Sequence, residues 1–280
     1  MDALTELVAA GNVAVLSGAG ISTESGIPDY RGPTGAARRN HVPMTHQEFV
    51  NRPDARHRYW ARSYLGWSVF SQAQPNDGHR AVAALERSGP VIGVITQNVD
   101  GLHQAAGSNN VIDLHGRLDR VMCLACGAVQ SRHDVQDALL ALNADWDGRS
   151  TVVNPDGDVE LDASTIASFN MVDCTDCGGA LKPDVVYFGG SVPPAWVAAA
   201  HDLVDRASAL LVLGSSLTVF SGRRFVHRAV ANGVPVAIVN QGETRCDELA
   251  SVRIEAPLGR VLMSLTQKIL DFTIELSMHS

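Results

Sequence analysis

The chain reads as an α/β protein, a Rossmann-like, doubly wound parallel sheet carrying a smaller inserted module. Three observations predict this. Short apolar runs alternate with helical patterns along much of the chain. The first of those runs ends in a glycine loop, Gly18-Ala19-Gly20. Two long stretches, 33–75 and 117–183, break the alternation, and the second holds two Cys-x-x-Cys pairs.

Taken in order, Val13 to Leu16 is a continuous apolar run ending in Ser and Gly, as a strand covered on both faces requires. Asp77 can cap a helix through Ala81, Ala84 and Leu85 that stops at Gly89. Strands follow at 91–95, 111–114, 210–213 and 236–239, with helices at about 195–207, 221–232 and 259–272. The large Rossmann-like region then comprises residues 1–32, 76–116 and 184–280. The insertions form the small module, helical over 33–75 and metal-binding over 117–183.

Bulk properties narrow the function. A formal charge of −8 excludes a general phosphate-backbone binder, so no nucleic-acid partner is expected. The pair Arg38-Arg39 is too small to change this and reads as a solvated loop. No apolar run reaches the ~20 residues of a membrane helix, and no membrane partner is expected. The segment from Met1 to Ala10 carries Asp2 and Glu6 and lacks a basic leader, which points to a cytoplasmic chain. The expected state is a monomer.

The ends of the strands carry the chemistry. They bear Gly18-Ala19-Gly20, then Gln97-Asn98-Val99-Asp100, then His115-Gly116, then Gly214-Ser215-Ser216, then Asn240-Gln241-Gly242. Ligands of open parallel sheets bind beyond the carboxyl ends of the strands. Small residues let the backbone approach phosphates, while amides and hydroxyls bind ribose and base. The dinucleotide fingerprint is incomplete, with Thr23 at the third glycine position. His115, at a strand end beside the polar loop, is a candidate general base, although a buried structural histidine has the same appearance. Cys123, Cys126, Cys174 and Cys177 suit a closed tetrahedral Zn²⁺ site with no open position for water, hence a structural metal. The pairs are 47 residues apart, longer than the usual ribbon spacing. Cys246 is an ordinary small residue.

Together the strings from Gly18 to Gly32, from Thr96 to His103, Leu114-His115-Gly116, the two cysteine pairs, Lys182 to Gly189, Gly214 to Leu217 and Asn240 resemble the sirtuin family over nearly the whole chain, in order. Arg58 to Arg62, Asn154 to Val159 and the long inter-cysteine stretch resemble its class II branch, which includes a mitochondrial lipoamidase and ADP-ribosyltransferase and bacterial members. The resemblance implies an NAD-dependent protein-lysine deacylase. NAD would lie along Gly18, Ala19, Gly20, Ser22, Thr23, Asp29, Tyr30, Arg31, Gln97, Asn98, Val99, Asp100 and His115, with its adenosine half near Gly214, Ser215, Ser216, Asn240, Gln241, Gly242 and Leu258. The acyl oxygen of an acylated protein lysine would attack the ribose carbon and expel nicotinamide. His115 would be the base, with Asn98 and Asp100 as its catalytic partners, and the products free lysine and O-acyl-ADP-ribose. Val185, Val186, Phe188 and Gly189 would hold the peptide by strand addition.

Three departures and three rivals stay open. Tyr30 stands where many deacetylases carry Phe, and Gly190 where the family often has an acidic residue. Tyr59 and Arg62 have the spacing of a pair that reads acidic acyl groups, or else lie on a helix face with Arg62 at the surface. The rivals are a protein ADP-ribosyltransferase using the same NAD site, a non-catalytic NAD sensor and a nicotinamide dehydrogenase.

Overall fold

The computed structural model describes residues 2–32, 35, 42–150 and 153–278, with side chains described through residue 272. The Arg38-Arg39 pair lies outside the described residues. Ten helices and nine strands are described. In chain order they are α1 (Ala3–Ala9), β1 (Val13–Ser17), α2 (His46–Asn51), α3 (Pro53–Gln72), α4 (Asp77–Arg87), β2 (Val91–Thr96), α5 (Leu102–Ala105), β3 (Val111–Asp113), β4 (Gly116–Cys123), β5 (Val129–Ser131), α6 (Arg132–Leu142), α7 (Ala163–Ala167), β6 (Leu181–Val185), α8 (Pro194–Asp205), β7 (Ala209–Leu213), α9 (Phe220–Ala231), β8 (Val236–Val239), β9 (Val252–Ile254) and α10 (Leu258–Met278).

Six strands form one parallel sheet in the order β3-β2-β1-β7-β8-β9. Every residue of β1 is buried, because helices cover both faces. Val13 and Val15 point to a core shared with α1, α4 and α10, and Ala14 and Leu16 to one shared with α8 and α9. The chain runs outward from β1 to β3 and returns to β7 on the other side of β1. The loops after β1 and β7 therefore diverge over a crevice at the carboxyl edge, the switch point where such sheets bind ligands.

The edge strand β9 and the helix α1 add to the elements read from the sequence. Both are short and carry little periodicity of their own. One expectation is corrected. The cap of α4 is Asn76, whose Oδ1 accepts from Gly78 N (2.9 Å) and His79 N (3.3 Å), and Asp77 is the first helical residue. Asn76 also ties α4 to the first glycine loop, its Nδ2 donating to Ile21 O (2.7 Å) and Ser25 Oγ (2.9 Å). Asn76→Ala is expected to cost about 2–3 kcal/mol, the sum of a lost cap and two lost hydrogen bonds, read as a lower denaturant midpoint at unchanged slope.

The second sheet is antiparallel, β5-β4-β6. Residues of both interrupting stretches share one core: Phe49, Tyr59 and Trp60 from the first meet Val121, Leu139, Phe169 and Leu181 from the second. Arg132 is the largest fully buried side chain, 1% exposed. Its guanidinium lies 5.4 Å from the Trp60 ring and 5.0 Å from the Trp67 ring. It donates to Ser63 O (3.2 Å) and Gln136 Oε1 (2.7 Å), and burial lowers its pKa to about 10.

Candidate functional site

A cavity of about 1140 Å³ opens at the carboxyl edge of the parallel sheet, between the two sheets. All the predicted nucleotide- and substrate-contacting residues line it, from Gly18 through Arg31, Gln97 to Asp100, His115, Val185 to Gly189, Gly214 to Ser216, and Asn240 to Gly242 with Leu258.

Backbone proximity explains the glycines. A Cβ on Gly18 would lie 2.8 Å from that of Ser215, and one on Gly20 2.8 Å from Gly214 Cα. The loops after β1 and β7 thus touch through their backbones, a contact only glycine allows. Gly20 N donates to Gly214 O at 2.8 Å. Beyond β1 the chain makes two short 3₁₀ turns, Ala19–Ile21 and Thr23–Ser25.

The polar side chains form one network. Ser22 Oγ donates to Asp100 Oδ2 (2.7 Å) and accepts from Asn98 Nδ2 (3.0 Å), which also donates to Gly18 O (3.2 Å). Gln97 Nε2 donates to Ser215 Oγ at 2.9 Å. Asp29 Oδ1 accepts from Gly32 N at 3.0 Å, which bends the loop that carries Tyr30 and Arg31. Asn240 Nδ2 donates to Gln241 O (3.1 Å) and Gly242 O (2.9 Å), fixing the turn after β8. Burial raises the pKa of Asp100, against the hydrogen bonds from Leu102 N and Ser22, which favour its charged form.

His115 sits where the two sheets join. Its Nδ1 is 2.9 Å from Gln97 O and its Nε2 is 2.8 Å from Ser221 Oγ. A carbonyl only accepts, so Nδ1 carries the proton of the neutral ring. Nε2 then holds the lone pair and accepts from Ser221. Burial lowers the pKa of His115, the Gln97 hydrogen bond opposes this, and the nearby Arg224 charge adds to the lowering. Gly116 follows with φ +80°, and a Cβ there would collide with Asp184 O. Val186 N donates to His115 O at 2.8 Å, so the base candidate and the β6 edge are joined directly.

Two further histidines underlie the network. His103 Nε2 meets Ser17 Oγ at 2.9 Å, and His79 Nε2 meets Ser22 Oγ at 3.4 Å. Burial lowers their pKa values to about 3 and about 4. The unfolded state, with histidines near 6.5, binds protons that the folded state refuses. Their contribution to stability is therefore complete above pH 6.5 and is lost as pH falls toward 4. Each is expected to add up to about 1.4 kcal/mol per pH unit to that loss. Urea unfolding at pH 7.5 and 5.0 checks this, and an undiminished pH dependence in His103→Gln would count against it.

The four cysteines converge. Their Sγ atoms all lie within 4.8 Å of one another, with Cys123 to Cys177 at 3.5 Å and Cys126 to Cys174 at 3.8 Å. Those separations exceed a disulfide bond of ~2.05 Å and match the ~3.8 Å edge of a tetrahedron of sulfurs ~2.3 Å from Zn²⁺. Gly127 and Gly178 turn each knuckle at positive φ, and a Cβ on Gly179 would lie 2.9 Å from Cys123 Sγ. The cluster fits a structural zinc.

Tyr59 and Arg62 do not line the cavity. Tyr59 is buried in the small core, and Arg62 is held by Asp158 and Glu160, each at 3.1 Å. Sequence reasoning missed Ser221 and Arg224 from the start of α9, and Met44, Phe70, Pro155 and Asp156 from the insertions. Ser221 could have been found by reading on from Gly214-Ser215-Ser216 into the next helix. The insertion residues have no local signal, since only packing brings them to the cavity.

Glycine loops at a sheet switch point, a buried polar strand-end network and a four-cysteine ribbon define a class of nucleotide-site proteins with an attached metal module. The family model described as the Sir2 family matches residues 18–221. A relative named NAD-dependent protein deacetylase 1 from Streptomyces coelicolor is 54% identical, covering 95% of this chain and 89% of that one. The relative named NAD-dependent protein lipoamidase sirtuin-4, mitochondrial, from Homo sapiens is 46% identical, covering 89% and 80%. A solved structure of a mutant Sir2 homologue in complex with ADP ribose superposes with a TM-score of 0.78 at 30% identity, over 98% of both chains. The chain belongs to the Sir2, or sirtuin, family.

Proposed function

We propose that the protein is an NAD-dependent protein-lysine deacylase that uses His115 as its general base. The carrying observation is the tautomer of His115, a residue that lines the cavity: Gln97 O accepts from Nδ1–H, which leaves the lone pair on Nε2. NAD, as co-substrate, supplies the ribose that receives the acyl group and the nicotinamide that leaves.

The loops of Gly18 to Ser22 and Gly214 to Ser216 fit its diphosphate, because their glycines let the two loops close together in the cavity lining at the switch point of the sheet. Asn98, Asp100 and Ser22 orient ribose and carboxamide through their shared hydrogen bonds. Asp100 also favours the positive charge that develops when nicotinamide departs. His115 Nε2 takes a proton from a ribose hydroxyl once that hydroxyl displaces Ser221. The backbone of Val185 to Gly189 takes the acylated peptide as an added strand.

This reading treats the chain as one catalytic domain. Its large region spans residues 1–32, 76–116 and 184–280, and its small module comes from 33–75 and 117–183. Among the described residues no helix is long and apolar enough to cross a membrane. A cytoplasmic site of action agrees with four thiolates kept reduced for metal.

Acyl-lysine peptides bearing acetyl, succinyl, long-chain, lipoyl and branched glutaryl groups, assayed for NAD-dependent nicotinamide release, test the reading. Mass spectrometry separates loss of acyl from gain of ADP-ribose on the protein substrate. No release with any peptide would overturn it.

A further inference from the structure

We propose that the first turn of α9 recognises acidic residues flanking the acylated lysine, through Arg223 and Arg224. This rests on the deacylase reading and names the substrate class for that site.

The chain carries a formal charge of −8, and several arginines near its surface have carboxylate partners, such as Arg206 with Asp202 and Arg228 with Asp205. Neither Arg223 nor Arg224 pairs with a carboxylate among the described residues. Both guanidinium groups instead lie against the ring of Phe220, 5.9 and 5.2 Å from its centre. Arg224 Nε is buried and has no hydrogen-bond partner.

Position gives this charge a use. Phe220 and Arg224 line the same cavity as His115 and Val185 to Gly189. Phe220 is 58% exposed, so its ring marks the mouth of the cavity. A peptide laid along the Val185 to Gly189 edge has its acyl-lysine directed toward His115 and its neighbouring residues at that mouth. The carboxylates in the lining, Asp29, Asp100, Asp156, Glu243 and Glu255, come from other loops. Two unpaired guanidinium groups beside an exposed ring form a surface complementary to a carboxylate on an extended segment, since arginine binds carboxylates in a bidentate fork. The flanking residue, not the acyl group, is the assigned carboxylate source.

The test uses fluorescent acetyl-lysine peptides with acidic, neutral or basic flanks, and one peptide with a neutral flank and a succinyl-lysine. Binding is read by anisotropy and turnover by nicotinamide release, at low and high salt. The acidic-flank peptide is expected to bind roughly three- to tenfold more tightly than the neutral one, with the gap closing at high salt. The pair R223Q/R224Q is expected to abolish the difference, and R223E/R224E to invert it toward basic flanks, a gain that misfolding cannot mimic. Equal binding of all three flanks by the wild type would overturn the proposal. So would a preference that survives both variants, one seen only with succinyl-lysine, or a tenfold rise in the KM for NAD with peptide selectivity unchanged. Charge-dependent binding without nicotinamide release would sink the deacylase reading and leave this surface standing. Release indifferent to flanking charge would do the reverse.

Discussion

His115→Ala is expected to lower nicotinamide release by a factor of about 10² to 10⁴, the usual worth of a positioned base, while NAD still raises the melting temperature. The two readouts separate because the groups proposed for the diphosphate, Gly18 to Ser22 and Gly214 to Ser216, lie on loops that do not depend on the imidazole for their geometry. The pH profile belongs to the same experiment. Burial and Arg224 lower the pKa of His115, so its neutral form persists below the ordinary histidine value of 6.5. The acid limb of kcat/KM should therefore fall below pH 6.5, with activity rising toward neutrality. A variant retaining full turnover, or an acid limb unchanged in the residual activity of His115→Ala, would remove the imidazole from the base role.

The second large effect concerns the metal. Cys174→Ser is expected to drop bound zinc from one per chain toward none and to destabilise the small module by several kcal/mol, since metal binding and folding are one equilibrium in such ribbons. The loss should reach the cavity. Within a few residues of Cys177 the chain enters β6, which pairs with β4 and ends at Val185, where the proposed peptide-binding edge begins. Metal analysis, a thermal melt and nicotinamide release, measured on one preparation, should fall together. Full activity in a zinc-free preparation would show that β6 keeps its place without the ion.

Much of this molecule is legible in its sequence. Continuous apolar runs such as 13–16 and 210–213 have one physical meaning in a chain of this composition, a strand covered on both faces, and their polar ends then have to meet at one edge. The cysteine pairs are legible because the spacing itself sets ligand geometry. The cap of α4 falls one residue earlier than expected because Asn76 and Asp77 are both good caps, and only the path of the backbone chooses between them. Tyr59 and Arg62 show the limit more sharply. Their spacing places them on one turn of a helix, but whether that face meets the cavity or Asp158 depends on a loop 96 residues away. Ser221 can be reached by reading on from the strand-end string, but only the fold brings it to His115, 106 residues away.

The cation held between two indoles has a practical consequence. Of the chain's four tryptophans, Trp60, Trp67 and Trp146 belong to the metal-bearing module, and two of them flank the Arg132 guanidinium. Ultraviolet emission from this protein is therefore dominated by its smaller module. A fluorescence melt reports when the ribbon lets go, while circular dichroism sums the helices of the whole molecule, most of them around the parallel sheet. Two optical traces from one cuvette thus distinguish sequential from concerted unfolding without any label.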